Sequence, residues 1–290
     1  VPTDINYWFF RTEGGNFFES FLDHDFVAMG WNNITLDDIR NKTVIEVKSK
    51  IERVEDIKRE GRSKKQKLSD IYNKIKRFDA LQKGDIIVIP SSHSHLLAFG
   101  EIMDDRAFQA PAGEHGCDYE KRRHVKWHTP GIPLKELDPT FDKMRRGWHA
   151  IMNVNEYDYY IDSVVHSVYT KAGNSHLVIK VQQTSDINLK DLAEVLTGIQ
   201  NLMEIVNREF DLNENISQSS IKIYLQSPGL FNIKNSGIAL LLTAMVMGSA
   251  SCNTDEQPPE TKAGIENIQT HHPDKIDSLT ARMQNMNINF

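Results

Sequence analysis

Cysteine is scarce in this chain: Cys117 and Cys252 are the only two among 290 residues. They lie far apart and define neither a disulfide framework nor a metal-ligand spacing. A reducing, cytoplasmic setting is the expectation, and Val1-Pro2-Thr3-Asp4 runs straight into mixed polar sequence rather than an apolar leader. Long apolar runs are also missing. The uncharged stretch 237–251 has an apolar part of about fourteen residues, short of the roughly twenty that span a bilayer. It reads as a buried helix, with a membrane or oligomer contact as the alternative. No phosphate-cradling glycine loop, nucleophile elbow or paired-carboxylate motif occurs, and Gly14-Gly15 is only a turn signal. No cofactor is therefore expected, and no catalytic residue is assigned.

A marked excess of either charge is absent from the first half. Residues 1–153 carry 25 Lys and Arg against 24 Asp and Glu, and the remainder carries 9 against 16. The first half is thus the part able to meet a polyanion. Within it, Arg53 to Arg77 holds ten basic residues against four acids. Lys121-Arg122-Arg123 and Arg145-Arg146 add smaller clusters. Together they read as a candidate phosphate-binding face.

The centre of the pattern is 78–102. Two strand-length apolar runs, Ile86 to Ile89 and Leu96 to Ile102, flank the polar loop Ser91-Ser92-His93-Ser94-His95. Glycine and proline punctuation with β-branched residues predicts a hairpin. Upstream, 5–11 and 26–31 read as strands around a helical stripe at Phe17, Phe18, Phe21 and Leu22. A charged helical region follows from Leu36 to Leu81, with 60–68 as a basic loop and Ser69 as a cap. Downstream, 119–128 reads as a strand. Near Asp158 the composition changes. The second part reads as β-β-α-β: a strand at 176–181, a helix capped by Asn188 or Asp186 with Leu189 to Phe210 inward, and a strand at 220–225. Residues 253–290 are polar and read as a flexible tail, with a helix at 275–287 as an alternative for that part.

Three sites compete. Glu46-x-Lys48, with Asp37 or Asp38 upstream, matches half of a magnesium-dependent nuclease strand, although the surrounding apolar spacing fits a helix. His93, His95, His124 and His128 could converge on a metal, but solvated loop histidines are commoner, so no metal is assigned. The aromatic residues Tyr7 to Phe10, Trp31, Trp127 and Trp148 are mostly core. Alternation puts Trp8 and Phe10 on one side of the first strand and Tyr7 and Phe9 on the other. That leaves a ring for a cleft able to stack a flat ligand.

The series Tyr7-Trp8-Phe9-Phe10-Arg11, Val27 to Trp31, Phe78 through Pro90, Gly100-Glu101-Ile102 and His124 to Trp127 resembles the PUA-like (EVE-type) domain at the N-terminus of Mrr-type restriction proteins and related bacterial defence proteins. The resemblance covers about residues 5–155. It implies a mixed β-barrel with flanking helices over 1–156; with the second part, read from its own residues as a smaller α+β domain over 158–252 serving output or oligomerisation, and the tail, the chain is of the α+β class. The resemblance further implies a sensor that receives a nucleobase, often a modified one, in an aromatic pocket; in duplex DNA the base would be flipped out. Carried onto this sequence, Trp31 and Trp8 form the wall, with Ser91, Ser92 and His93 at the mouth. Asn32 reads a base edge, and Lys64, Lys65, Arg122 and Arg123 hold phosphates. DNA or a nucleotide is the expected partner of 1–156, and self-association or a protein partner that of 158–252; a membrane is not expected. Residues 158–290 lack the acidic residue and Glu/Gln-x-Lys strand of an Mrr-type nuclease, so a sensor is favoured over a modification-dependent nuclease. A membrane-disturbing effector acting through 237–251 is the third reading.

Overall fold

The first aromatic run folds as strand β1 (Tyr7–Phe10), inside a mixed sheet. The structure, a computed structural model, describes residues 5–55, 57, 61–147, 149–171, 174–181, 187–223, 229–235, 259–286 and 288–289. Trp148 and the apolar stretch 237–251 lie outside the described residues. The chain divides into two units, Val1–Ile161 and Asp162–Phe290.

In the first unit β1 is followed by α1 (Phe18–Asp23), β2 (Phe26–Met29), α2 (Leu36–Asn41), α3 (Val44–Val54) and α4 (Gly61–Asp79). The expected hairpin is present as β3 (Ile86–Pro90) and β4 (Leu96–Ile102), joined by a 3-10 turn at Ser92–Ser94. Then come β5 (Phe108–Gln109), β6 (Lys121–Trp127), β7 (Ile132–Pro133), α5 (Thr140–Met144) and β8 (Ile151–Asn153). The strand order is β2-β6-β4-β3-β1-β8, with β5 beside β6 and β7 beside β4. Every pair is antiparallel except β1 with β3, where Trp8 sits opposite Ile87. The sheet curls into a half-barrel.

Both faces of this sheet are covered, which is why β3 is apolar at every position. Phe10, Ile87, Ile89, Ala98 and Ile102 join one cluster with Val47 and Ile51 of α3 and Leu68, Ile71, Ile75 and Phe78 of α4. The alternate residues Phe9, Val88 and Phe99 are equally buried outside that cluster. On that side the Phe99 ring meets Phe141 of α5 edge-on, with centroids 5.6 Å apart.

Several local expectations change. Residues 61–68, read as part of a basic loop, form the first turns of α4, where apolar spacing at Leu68, Ile71, Tyr72 and Ile75 carries the helix. Ser69 is no cap; its hydroxyl donates to the Lys65 carbonyl inside the helix. Glu46-x-Lys48 is helical rather than extended. Glu46 closes a capping box with Thr43 at the start of α3, just as Asp38 does with Thr35 in α2.

The chain continues with α6 (Asp158–Val165), and the second unit holds β9 (Val168–Lys171), β10 (Asn174–Val181), α7 (Leu189–Glu209), β11 (Ser220–Ile223) and β12 (Gly229–Asn235). It ends with α8 (Pro259–His271), α9 (Pro273–Asn285) and β13 (Ile288–Asn289). Its antiparallel sheet runs β11-β12-β10-β13, with β9 also on β10. The Asn188 side chain caps α7 by accepting from the Lys190 amide. Leu189, expected inward, is 80% exposed because it precedes the buried stripe of Val195, Ile199, Leu202 and Val206. The reading of 253–290 as a flexible tail does not describe 259–286 and 288–289. Ile265, Ile268, Leu279 and Met283 pack into the same core as α7, and β13 pairs with β10. The helix considered at 275–287 is present as α9, whereas the polar composition hid α8, which contributes only a narrow apolar stripe.

Candidate functional site

At the end of β2 the chain turns through Gly30 and Trp31. Gly30 is held under the Tyr119 ring, where an added Cβ would come within 3.0 Å of it. Trp31 then adopts a left-handed backbone with φ of 58°, a conformation that costs a bulky residue about 1–3 kcal/mol. Its surroundings fix that geometry. The Trp31 carbonyl accepts from the Ile34 amide and from the Lys121 ammonium, both at 2.9 Å. Lys121 is fully buried and donates also to the Ile34 carbonyl at 2.9 Å. Burial pulls its pKa down to about 8. Asn32 completes the attachment: its amide nitrogen donates to the Asp118 carbonyl and its oxygen accepts from the Glu120 amide.

The half-buried Trp31 ring lines a cleft of about 610 Å³, a size that suits a small organic ligand. Its walls are Phe10, Met29, Trp31 and Tyr119, and its charged groups are Arg11, Glu13 and Lys74. Lys74, from α4, has its ammonium 5.9 Å from the Trp31 ring centroid. Burial, the main cause, lowers its pKa, against the opposing pull of Asp70. Arg11 follows β1. One guanidinium nitrogen, Nη2, donates to the carbonyls of Arg145 (2.6 Å) and Gly147 (2.5 Å), and the guanidinium lies 5.1 Å from the Phe9 ring centroid, which leaves Nε and Nη1 without a hydrogen-bond partner among the described residues. Burial first, and then repulsion from Arg145, lowers its pKa. The Tyr119 hydroxyl donates to Oε2 of Glu13 at 2.5 Å. Burial, and then that carboxylate, push the phenol pKa up, so Tyr119 stays a donor. The arrangement offers aromatic faces, two cations and one carboxylate, with no nucleophile–base pair among them.

The residues expected to form the pocket do not converge. Trp31 lines the cleft, but Trp8 does not; its indole donates to Oδ2 of Asp85 at 2.9 Å, beside the amides of Asn6 and Gln82 on the same carboxylate. Ser91, Ser92 and His93 lie in the β3–β4 turn, which abuts the Glu13–Gly15 turn without lining the cleft. A Cβ on Gly15 would fall 2.2 Å from the Ser92 amide nitrogen, so only glycine fits there. The Ser91 hydroxyl accepts from the Leu96 amide, and that of Ser92 contacts Nδ1 of His93. Asn32, expected to read a base edge, has both ends of its amide engaged by backbone.

The phosphate assignment needs the larger correction. Lys64 pairs with Glu52 at 2.6 Å, and Lys65 is exposed on α4. Arg122 and Arg123 are buried and saturated. Arg122 binds Glu114 and the carbonyls of Pro111, Glu114 and Cys117, over the Phe26 ring. Arg123 binds Asp104 and the carbonyls of Phe78, Asp79 and Leu81. These donors tie loops to β6 and are not available to a phosphate.

Nor do the metal candidates meet. His124 faces Asp104 and stacks on Phe108, while His93 and His95 pair in the distant turn. Lys48 donates to Ser69, and Asp38 is held by Lys42 and Lys50. Among the described residues no group of three His, Cys, Asp or Glu could hold a metal ion. None of the described helices is long and apolar enough to cross a membrane. Sequence reasoning missed Arg11, Glu13, Lys74 and Tyr119. Their signals were the Gly14-Gly15 and Gly30-Trp31 breaks, which mark where the backbone opens around them.

Residues 9–146 match the family described as Domain of unknown function (DUF8426), a match confined to the first unit and just under half the chain. Neither the curated proteins nor the solved structures contain a match.

Proposed function

We propose that Val1–Ile161 is a PUA-like recognition module that takes a nucleobase, modified or unmodified, into the cleft at Trp31. The base belongs to DNA or to a free nucleotide, and the chain acts as a sensor in bacterial defence, as its resemblance implies. The observation that carries this reading is the backbone of Trp31. A strained conformation held by a buried ammonium and an amide presents an aromatic ring to a cleft that also contains Lys74 and Arg11. Strain maintained by surrounding structure is typical of binding sites, and aromatic faces beside cations suit a base attached to a phosphate. The curled mixed sheet with its parallel β1–β3 pair supports the PUA-like assignment.

The exposed basic residues of α4, among them Lys65 and Lys76, take over the phosphate role that Arg122 and Arg123 cannot fill. The acidic second half of the chain serves output, through self-association or a protein partner, in the cytoplasm. Magnesium-dependent cutting through Glu46 and Lys48 is not favoured, because Glu46 is occupied as a helix cap.

A titration tests the module. The full chain is titrated with free nucleotides and with duplexes carrying unmodified, methylated or hydroxymethylated cytosine, at two salt concentrations. Trp31→Ala should weaken the preferred ligand about tenfold or more, as loss of one stacked base implies, while the salt dependence persists. Equal affinity in wild type and Trp31→Ala would make the ring purely structural and end this proposal.

A further inference from the structure

The cleft contains a carboxylate whose role the stacking reading leaves open. Glu13 sits in a left-handed turn with φ of 52° and is exposed. Its Oε2 accepts from Tyr119, and its Oε1 has no partner among the described residues. Tyr119 is itself fixed, edge-on to Phe17 at 4.8 Å and against Gly30. One carboxylate edge is therefore oriented in advance beside the aromatic wall, with its acceptor capacity only partly used. Arg11 and Lys74, in the same cleft, supply positive charge that offsets the repulsion a lone carboxylate would exert on an anionic ligand.

We infer that the cleft selects a guanine-type base: a flat ring whose edge carries two adjacent hydrogen-bond donors, joined to a phosphate. The inference rests on the base-binding reading above. Guanine's ring N–H and 2-amino group match the free Oε1 and the remaining lone pair of Oε2 on Glu13. Its phosphate accepts from Lys74 and from Nε and Nη1 of Arg11, which have no hydrogen-bond partner among the described residues. Adenine places a ring-nitrogen acceptor on that edge, cytosine two acceptors beside its amino group, and uracil an acceptor on either side of its ring N–H, so each sets a lone pair against the carboxylate. A site whose polar groups need donors rejects ligands that lack them.

The test compares guanosine, inosine, adenosine and cytidine monophosphates by titration calorimetry on the full chain. A second arm uses a thymidine strand with one central guanine and the same strand with inosine. Inosine differs only by loss of the 2-amino donor. The wild type should favour guanosine over inosine about tenfold, the effect of one hydrogen bond to a charged group. Glu13→Gln should bring that ratio to within about twofold. Whichever arm gives the tighter binding identifies a free nucleotide or a strand as the source of the base. If nucleotides bind and Trp31→Ala weakens them, but the ratio is near one or unchanged in Glu13→Gln, the guanine assignment fails and the base-binding reading stands. If no nucleotide binds, or Trp31→Ala binds all of them as wild type does, both fail.

Discussion

A fully buried ammonium beneath the wall of a cleft is a costly choice of residue, and Lys121 shows what it provides. Two carbonyls, those of Trp31 and Ile34, depend on it. Its pKa falls to about 8 in the folded chain, against about 10.4 when unfolded. Between those values the unfolded chain binds a proton that the folded chain does not. Stability therefore rises as pH increases through this window. The rise attributable to Lys121 should be on the order of 2 kcal/mol between about pH 8 and pH 10. Denaturant midpoints of wild type and Lys121→Met across that range check it: the difference between them should grow with pH. At neutral pH the variant leaves two carbonyls short of a donor, an effect of about 1–3 kcal/mol. Arg123 makes the same point in a different way. Arg123→Gln should destabilise the first unit by about 3 kcal/mol, as loss of one partner in a buried pair does. If it is a structural latch, the salt dependence of ligand binding should not change; a phosphate contact would lower the salt slope by about one.

At the scale of elements, β4 and β6 are held together by what Gly100 lacks. A Cβ there would lie 2.5 Å from Val125 and 2.6 Å from the Trp127 ring, whose indole donates to the Phe21 carbonyl at 2.9 Å. Gly100→Ala should therefore lower stability by roughly 1–3 kcal/mol, the usual effect of overpacking, measurable as a shift in the thermal midpoint. The sequence showed these strands plainly, since alternation and punctuation around 86–102 are local signals. It also showed β1 and the capped start of α7. It did not show that Lys121-Arg122-Arg123 would be buried. A run of three cations reads as surface until the carbonyls of 78–81, distant in sequence, and of 111–117, in the loop just before it, fold over it. The cleft was legible at Trp31 and not at Arg11, Glu13 or Lys74. Arg11 and Glu13, two apart in the chain, meet Lys74 only through the packing of α4 and the Glu13–Gly15 turn against the sheet. Ser91, Ser92 and His93 looked like a mouth because they form a polar loop, yet polarity does not tell which way a turn faces.

For the whole molecule, two separate cores predict two separable transitions. All four tryptophans, Trp8, Trp31, Trp127 and Trp148, fall within Val1–Ile161. Tryptophan fluorescence therefore follows the first unit, whereas far-ultraviolet circular dichroism follows both. The two probes should not coincide on denaturation. Gly264→Val selects between the units: a Cβ at that position in α8 already falls 2.6 Å from the Phe210 ring. It should shift the dichroism curve and leave the fluorescence curve in place. Equal shifts in both would show a single cooperative molecule. The charge division acts at this scale too. With −7 on residues 154–290 against +1 on 1–153, lowering the salt should favour contact of a polyanion with the first half alone.

On the base-binding proposal, the Trp31 turn has a consequence in time as well as in affinity. Its ring is set by hydrogen bonds to Lys121 and Ile34 that exist before any ligand arrives. No rearrangement need precede docking, so related ligands should associate at nearly the same rate and differ in how long they stay. Stopped-flow traces would then show one concentration-dependent phase, with a common slope across the series and intercepts that rank the ligands.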